Sequence, residues 1–257
     1  MILVFDIGNT EIDFALFAKS NKEPKYHSSI KLGIARIDRE ILSFLSRYNI
    51  KISQIQAVVI GSVVPKETKR ITRICYTLFK LKPFIAISGK NTIIPMKYRP
   101  MSSIGVDRVA NAVGAIAYYK KLPVIVVDLG TATTFTVVSH KGKLIGGAIT
   151  IGIQTAIQAL HQETAQLPAV DLSNTTIKSL PVIGNSTVLN LQSGFYFGFI
   201  ELIDGMVNRL RKELKQKPLI IATGGLSQLI APASKTIQKV DPLLTLKGLY
   251  IIYQKQK

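Results

Sequence analysis

The chain has 257 residues, 47% of them hydrophobic, which allows one large domain or two of roughly 100–150 residues and excludes a disordered chain. Its single cysteine, Cys75, excludes an internal disulfide and a cysteine-cluster metal site, and fits a reducing compartment, most simply the cytoplasm. The formal net charge of +18 comes from Lys and Arg scattered from Lys19 to Lys257, without a block of like charge or interleaved aromatics, so a solvated basic surface is expected and a nucleic-acid partner is not.

The first apolar run, Ile2 to Phe5, ends in Asp6-Ile7-Gly8-Asn9-Thr10 and resumes through Phe17, which reads as strand, tight turn, strand. Asp6, Glu11 and Asp13 interrupt it and no basic region precedes it, so it is a poor signal peptide. The periodicity predicts a helix over 36–48, with Ile37, Ile41, Leu42, Phe44, Leu45 and Tyr48 on one broad face. A strand over 57–60 follows. A helix over 66–79 carries Ile71, Ile74, Cys75 and Leu78, with Pro65 at its start, where a missing N–H costs little. Residues 83–87 read as a strand, and 105–119, rich in Ala and Val, as a closely packed buried helix.

Val124 to Val127 then runs into Asp128-Leu129-Gly130-Thr131-Ala132-Thr133, and Phe135 to Val138 continues as a strand. With Asp128 and Gly130 inside it, this stretch is too short and too polar to span a membrane, so no membrane partner is expected. Helices are predicted over 154–167 and 189–214. Phe195, Tyr196, Phe197 and Phe199 form an aromatic belt on the second, suited to a core or to a dimer interface. A buried strand over 219–222 feeds Thr223-Gly224-Gly225. His27, His140 and His161 have no ligand spacing. Strands alternating with helices predict an α/β fold with mixed sheets.

The two Asp-x-Gly turns match in order and lie about half a chain apart, the mark of a duplicated α/β unit. A triphosphate is held by converging backbone N–H groups, and glycine lets the backbone approach closely. Asn9, Thr10 and Thr131 add small donors. A carboxylate at a strand end, Asp6 or Asp128, can hold the water shell of Mg²⁺. Neither a Walker loop nor a G-x-G-x-x-G turn occurs. Paired phosphate hairpins and a late Gly-Gly turn resemble the superfamily of acetate and sugar kinases, actin and Hsp70. That resemblance implies two duplicated RNase H-like (actin-like ATPase) domains, 1–118 and 119–257, with a nucleotide cleft between them.

Between the hairpins lies Tyr98-Arg-Pro100, then Gly105-Val106-Asp107-Arg108 opening a helix. A carboxylate in the first turn is favoured by the helix dipole, and the helix amides with Arg108 could receive a substrate anion. Asp107 could accept the proton of an attacking hydroxyl, or it could merely cap the helix while Arg108 lies on the surface. These motifs, with Gly146-Gly-Ala-Ile149 and Ala222-Thr-Gly-Gly225, make the chain similar to the type III pantothenate kinases over almost its whole length.

The resemblance implies ATP-dependent phosphorylation of pantothenate to 4'-phosphopantothenate, the first step towards coenzyme A. It assigns Asp107 as general base. It assigns ATP binding to Asp6, Ile7, Gly8, Asn9, Thr10, Glu11, Ile12, Asp13 and Thr131. Tyr98, Gly105, Val106, Asp107 and Arg108 would contact pantothenate, and Thr187 would reach the substrate of the neighbouring subunit of a homodimer with a shared site. Asp128 would help bind a monovalent cation, K⁺ or NH4⁺, beside the Mg²⁺ that accompanies ATP. Three motifs depart from the family pattern: Ile151 replaces the usual Pro, Thr136 an Asp, and Asn185-Ser186 the common Arg-Asn. Two other readings are a binding-only regulator that kept the fold and a superfamily kinase or phosphatase with another substrate. The joint presence of Asp6, Asp107 and Asp128 argues against the first, and Gly105-Val-Asp-Arg108 after Tyr98 against the second.

Overall fold

Strand β1 (Ile2–Ile7) is an unbroken apolar run because it is central: its residues are buried except Asp6 at the far end. It pairs antiparallel with β2 (Glu11–Phe17), the hairpin expected from the sequence. Beyond β2 lies β3 (Pro24–Lys31), an edge strand whose exposed and half-buried positions alternate. On the other side, β1 pairs parallel with β4 (Ala57–Ser62), which pairs parallel with the short β5 (Phe84–Ile85). Helix α1 (Ile37–Arg47) makes the first crossover and α2 (Pro65–Phe79) the second, with Pro65 at its first position. Their apolar faces meet the sheet in one core, where Phe14 lies edge-on to Phe44 with centroids 4.9 Å apart. Cys75 lies in that core, and burial pushes its thiol pKa up to about 12. The computed structural model describes residues 1–19, 21–172 and 180–256.

The second half repeats the plan. Strand β6 (Val124–Leu129) forms a hairpin with β7 (Ala132–Val138), and β8 (Leu144–Ile151) completes that side of the sheet. On the other side β6 pairs parallel with β9 (Leu219–Thr223), and β9 with β10 (Lys239–Val240). The two sheets have the orders β3-β2-β1-β4-β5 and β10-β9-β6-β7-β8, so one is the other read from the opposite edge. This is the duplication expected from the paired hairpins. Helix α3 (Val106–Tyr119) follows β5. Helices α4 (Ile153–Gln162), α5 (Thr187–Leu214) and α6 (Ser227–Ile230) lie in the second half, and α7 (Leu244–Gln254) follows β10, as α3 follows β5.

The helix expected over 154–167 stops at Gln162, where the hydroxyl of Thr164 donates back to the carbonyl of Leu160 at 2.7 Å. The helix expected from residue 189 begins two residues earlier, because Ser186 caps it by accepting from the amide of Leu189 at 3.3 Å. Of the aromatic belt, Tyr196 and Phe199 are buried, while Phe195 and Phe197 are half-buried.

The described residues group into two compact units. One holds Met1–Lys120, Gly142–Ile145 and Leu243–Lys257; the other holds Lys121–Lys141 and Gly146–Pro242. Helix α7 therefore belongs with the first unit. It lies against β1, β2 and β4 and crosses α3 at backbone contact. A methyl group on Gly248 would overlap the carbonyl of Ala110, and one on Gly114 would lie 2.8 Å from the carbonyl oxygen of Leu244. The hydroxyl of Thr245 donates to Oδ1 of the fully buried Asn111 at 2.8 Å, and Tyr250 stacks on Phe17 with centroids 4.4 Å apart.

This crossing yields a prediction in which two effects compete. Gly to Ala inside a helix ordinarily gains up to about 1 kcal/mol. At Gly248 overpacking against Ala110 dominates, so Gly248→Ala is expected to lose about 1–3 kcal/mol. A lowered urea midpoint at unchanged slope checks it; a raised midpoint would mean that the helices do not touch there.

Candidate active site

In the first unit, the turn after β1 is closed by the amide of Gly8, which donates to the carbonyl of Glu11 at 3.0 Å. The amide of Leu32 donates to the carbonyl of Thr10 at 2.8 Å and ties the turn to the end of β3. Asn9, Thr10 and Glu11 are exposed, Ile7 and Ile12 buried, and Asp6, Gly8 and Asp13 half-buried. In register, Asp6 has Asp13 on one side and Gly61 on the other. Burial pushes the Asp13 carboxyl above the usual carboxylate range and Glu11 adds to this, while a hydrogen bond with Ser29 and the charge of His27 oppose it.

Asp107 stands in the first turn of α3, one residue beyond Val106, with Gly105 as the extended residue before the helix. Its Oδ1 accepts from the amide of Arg108 at 2.8 Å. Burial raises its pKa, and neither that amide nor the Arg108 charge cancels the rise. Arg108 is buried, at 4% exposure, so the surface reading of this residue is set aside. Its Nη1 donates to the hydroxyl of Tyr98 at 3.0 Å, and its guanidinium lies 5.7 Å from that ring's centroid.

One short segment joins the two groups. The amide of Val63, just after β4, donates to the carbonyl of Ile7 at 3.1 Å. The Val63 side chain borders the Cα of Gly105, since a Cβ there would sit 3.6 Å from Val63 Cγ1. The Asp6 turn and the Asp107 helix start therefore flank the same strand end, and the first unit brings together Asp6 to Asp13, Tyr98 and Gly105 to Arg108.

Asp128, Thr131 and Thr187 lie in the second unit. Here three segments close around the hairpin turn. The amide of Gly152 and the hydroxyl of Thr155 both donate to the carbonyl of Thr131, at 3.1 and 2.7 Å. A Cβ on Gly152 would overlap the carbonyl oxygens of Gly130 and Thr131. Glycine at 152 is thus the steric requirement of this loop, and Ile151 beside it, in place of proline, leaves that contact intact. Gly224, at φ +87°, passes so close that a Cβ would lie 2.6 Å from Asp128 Oδ1.

Register places Asp128 between Thr134 of β7 and Thr223 of β9. The buried hydroxyl oxygens of Thr133, Thr134 and Thr223 have no hydrogen-bond partner. Sequence reading singled out Asp128 and placed Thr223 in the Gly-Gly turn, but linked neither Thr134 nor Thr223 to Asp128; for Thr134 the Thr-rich run of residues 131–136 was the available signal. Thr187 is exposed at the start of α5, beyond Val182 and Ile183, which are 70% and 90% exposed. Among the described residues no three His, Cys, Asp or Glu side chains gather as metal ligands, and no helix is long and apolar enough to cross a membrane.

The family model of type III pantothenate kinase matches residues 2–209. The chain belongs to that family. Its members are phosphotransferases with an alcohol group as acceptor, so this chain is an ATP-using kinase of pantothenate type. Solved structures share the fold over nearly their whole lengths. A Campylobacter jejuni protein assigned to the Baf family of transcriptional activators is 19% identical, with TM-score 0.60, over 99% of this chain and 98% of that one. The activator of 2-hydroxyisocaproyl-CoA dehydratase from Clostridium difficile, solved with bound ADPNP, is 12% identical, with TM-score 0.59, over 99% and 95%. A ROK family glucokinase from Streptomyces griseus, in complex with glucose and AMPPNP, is 12% identical, with TM-score 0.55, over 99% of each. At these identities the likeness speaks for the fold, and the two RNase H-like, actin-like domains expected from the sequence are borne out.

The raised Asp107 carboxyl carries a sign that can be checked. An acid whose pKa rises on folding binds more protons in the native state, so its cost to stability grows as pH climbs from the unfolded to the folded pKa. Asp107→Asn is therefore expected to raise the thermal midpoint at neutral pH, with the gain vanishing below the ordinary carboxylate range. Scans from pH 3 to pH 8 read this directly, and a gain that is largest in acid would contradict the assignment.

Proposed function

We propose that the chain transfers the γ-phosphoryl group of ATP to the primary hydroxyl of pantothenate, giving ADP and 4'-phosphopantothenate, with Asp107 as general base. The observation that carries this is the half-buried Asp107 carboxyl, whose pKa burial raises above the ordinary carboxylate value, next to the buried Arg108–Tyr98 pair. A base works best when its pKa approaches the working pH. As the new O–P bond forms and the bond to the ADP oxygen breaks, the hydroxyl proton passes to Asp107. Arg108 and the first amides of α3 hold the pantothenate carboxylate, with Tyr98, Gly105 and Val106 lining that site. The turn Ile7 to Thr10 meets the ATP phosphates through its exposed residues Asn9 and Thr10, with Glu11, Ile12 and Asp13 holding its shape. Asp6 would supply a carboxylate for the water shell of Mg²⁺, and the ion's charge would offset that of the phosphates.

In the second unit, Thr131 contacts phosphate. The donor set there fits a monovalent cation, because Asp128 offers a carboxylate and the unpartnered hydroxyls of Thr134 and Thr223 stand beside it in register. Such oxygen donors would hold K⁺ or NH4⁺. We read residues 1–118 and 119–257 as the two duplicated halves of a cytoplasmic enzyme, with α7, from the second half of the sequence, built into the first compact unit. We also read the chain as a homodimer in which Thr187 reaches the partner's substrate. The exposed Val182 and Ile183 next to Thr187 support an interface there. A monomer in sedimentation equilibrium would remove Thr187 from the site.

Purified protein with ATP, Mg²⁺, K⁺ and pantothenate is expected to release ADP and phosphopantothenate in equal amounts. Asp107→Asn is expected to lower kcat by about 10²–10⁴. No turnover, or an undiminished rate in that variant, sinks the reading. Replacing K⁺ by choline is expected to remove most activity. Thr134→Val and Thr223→Val should each raise the K⁺ concentration needed for half-maximal rate, and a rate indifferent to both changes would remove the cation.

A further inference from the structure

The first unit contains a cavity of about 590 Å³ that the proposed reaction does not use. Its wall on α3 is Val113, Ile116 and Ala117, at the end of the helix away from Asp107. At 1.5 Å per residue, Ile116 lies about 14 Å along the axis from Asp107. Ile94 and Ile251 add further apolar surface and are themselves buried. The charged residues of the lining are Lys19, Lys22 and Lys255, and no acidic side chain lines the cavity. None of these three makes an ion pair among the described residues.

A second observation points the same way. Gln254 also lines the cavity, and its Nε2 is cut off from solvent without an acceptor. A buried donor left unsatisfied is costly, so a polar atom of this kind marks a place where an acceptor belongs. The mouth is also held in place. The Tyr118 hydroxyl donates to the carbonyl of Lys22, Lys247 pairs with Glu23 at 2.8 Å, and the Tyr250 hydroxyl donates to the carbonyl of Ala18 at 3.2 Å. The lining thus combines three lysines and a glutamine whose amide lacks an acceptor with an apolar floor, in a cavity of ordinary ligand size.

We propose that this cavity is a binding site for an amphiphilic anion, an alkyl chain ending in a carboxylate or phosphate. The chain would lie on Val113, Ile116, Ala117 and Ile251, and the anionic head would meet the lysines and the Gln254 amide. The site is distinct from the proposed phosphoryl-transfer residues, so its test does not depend on turnover.

Calorimetric titration of the purified chain with decanoate, decyl phosphate, decanol and butyrate tests it. Decanoate or decyl phosphate is expected to bind, the tighter of the two naming the head group. Decanol and butyrate should each bind at least about tenfold more weakly, having lost the charge-assisted hydrogen bonds or the buried chain. Lys22→Gln with Lys255→Gln, both on the surface, should weaken the anion about tenfold while circular dichroism stays unchanged. Gln254→Leu should weaken it without lowering the thermal midpoint, since it removes a donor that is unsatisfied in the free protein. Equal affinity for decanol and decanoate, no binding of either anion, or affinity unchanged in these variants would overturn the proposal.

Discussion

The crossing of α3 and α7 is the contact on which the first unit depends. Two glycines, Gly114 and Gly248, let the helices meet backbone to backbone, and Thr245 satisfies the buried amide of Asn111 across the seam. Helix α7 then lies on β1, β2 and β4 as well, so the last stretch of the sequence completes the core begun by the first. Helix α3 carries two different things on its two ends. Its first turn presents Asp107 and Arg108, and its last turns wall the cavity with Val113, Ile116 and Ala117. A fixed α3 is therefore the condition for both sites, and the fixing comes from a helix far along the chain, across the 134 residues that the Asn111–Thr245 bond spans directly.

Duplication gives the two units one topology but not one chemistry. The sheets have equivalent strand orders, and Asp6 and Asp128 occupy the same place on their central strands. What flanks them differs. Asp6 faces Asp13 across the hairpin, so carboxylates cluster beside an exposed turn. Asp128 stands between two threonines whose hydroxyls are buried and unpartnered. The first arrangement suits a solvated divalent ion shared with phosphates. The second suits a cation stripped of much of its water, where neutral hydroxyl oxygens complement a single carboxylate. One inherited hairpin thus serves two kinds of electrostatics through its cross-strand neighbours.

Those neighbours explain what could be read from the sequence and what could not. Both hairpins were legible, because an apolar run ending in Asp-x-Gly is a local signal. So was the start of α3, since Gly105 and Asp107 mark a helix N-terminus within four residues. Strand β3 was not, because an edge strand with polar alternate positions, such as Lys25, His27 and Ser29, carries no apolar run. Helix α7 was missed for the opposite reason: apolar nearly all round, it shows no face. Thr223 could not be paired with Asp128, because that pairing exists only in the register of β6 with β9, strands separated by two helices. The orphan amide of Gln254 and Lys255 beside it come from one stretch of chain and Lys19 and Lys22 from another, and they meet only in the fold.

At Asp107 opposing effects set the proton affinity of the carboxyl. A helix N-terminus and a neighbouring guanidinium both favour the carboxylate, and either alone would leave a weak base. Burial opposes them and prevails, which is why the carboxyl sits above its ordinary range. Arg108 itself donates to the Tyr98 hydroxyl, which holds its guanidinium in place. On the proposed reading, a pantothenate carboxylate bound by Arg108 would neutralise part of the remaining pull. It would also exclude water from the half-buried side chain. Both changes push the Asp107 pKa further towards neutrality, so the acceptor substrate itself would tune the base that acts on it.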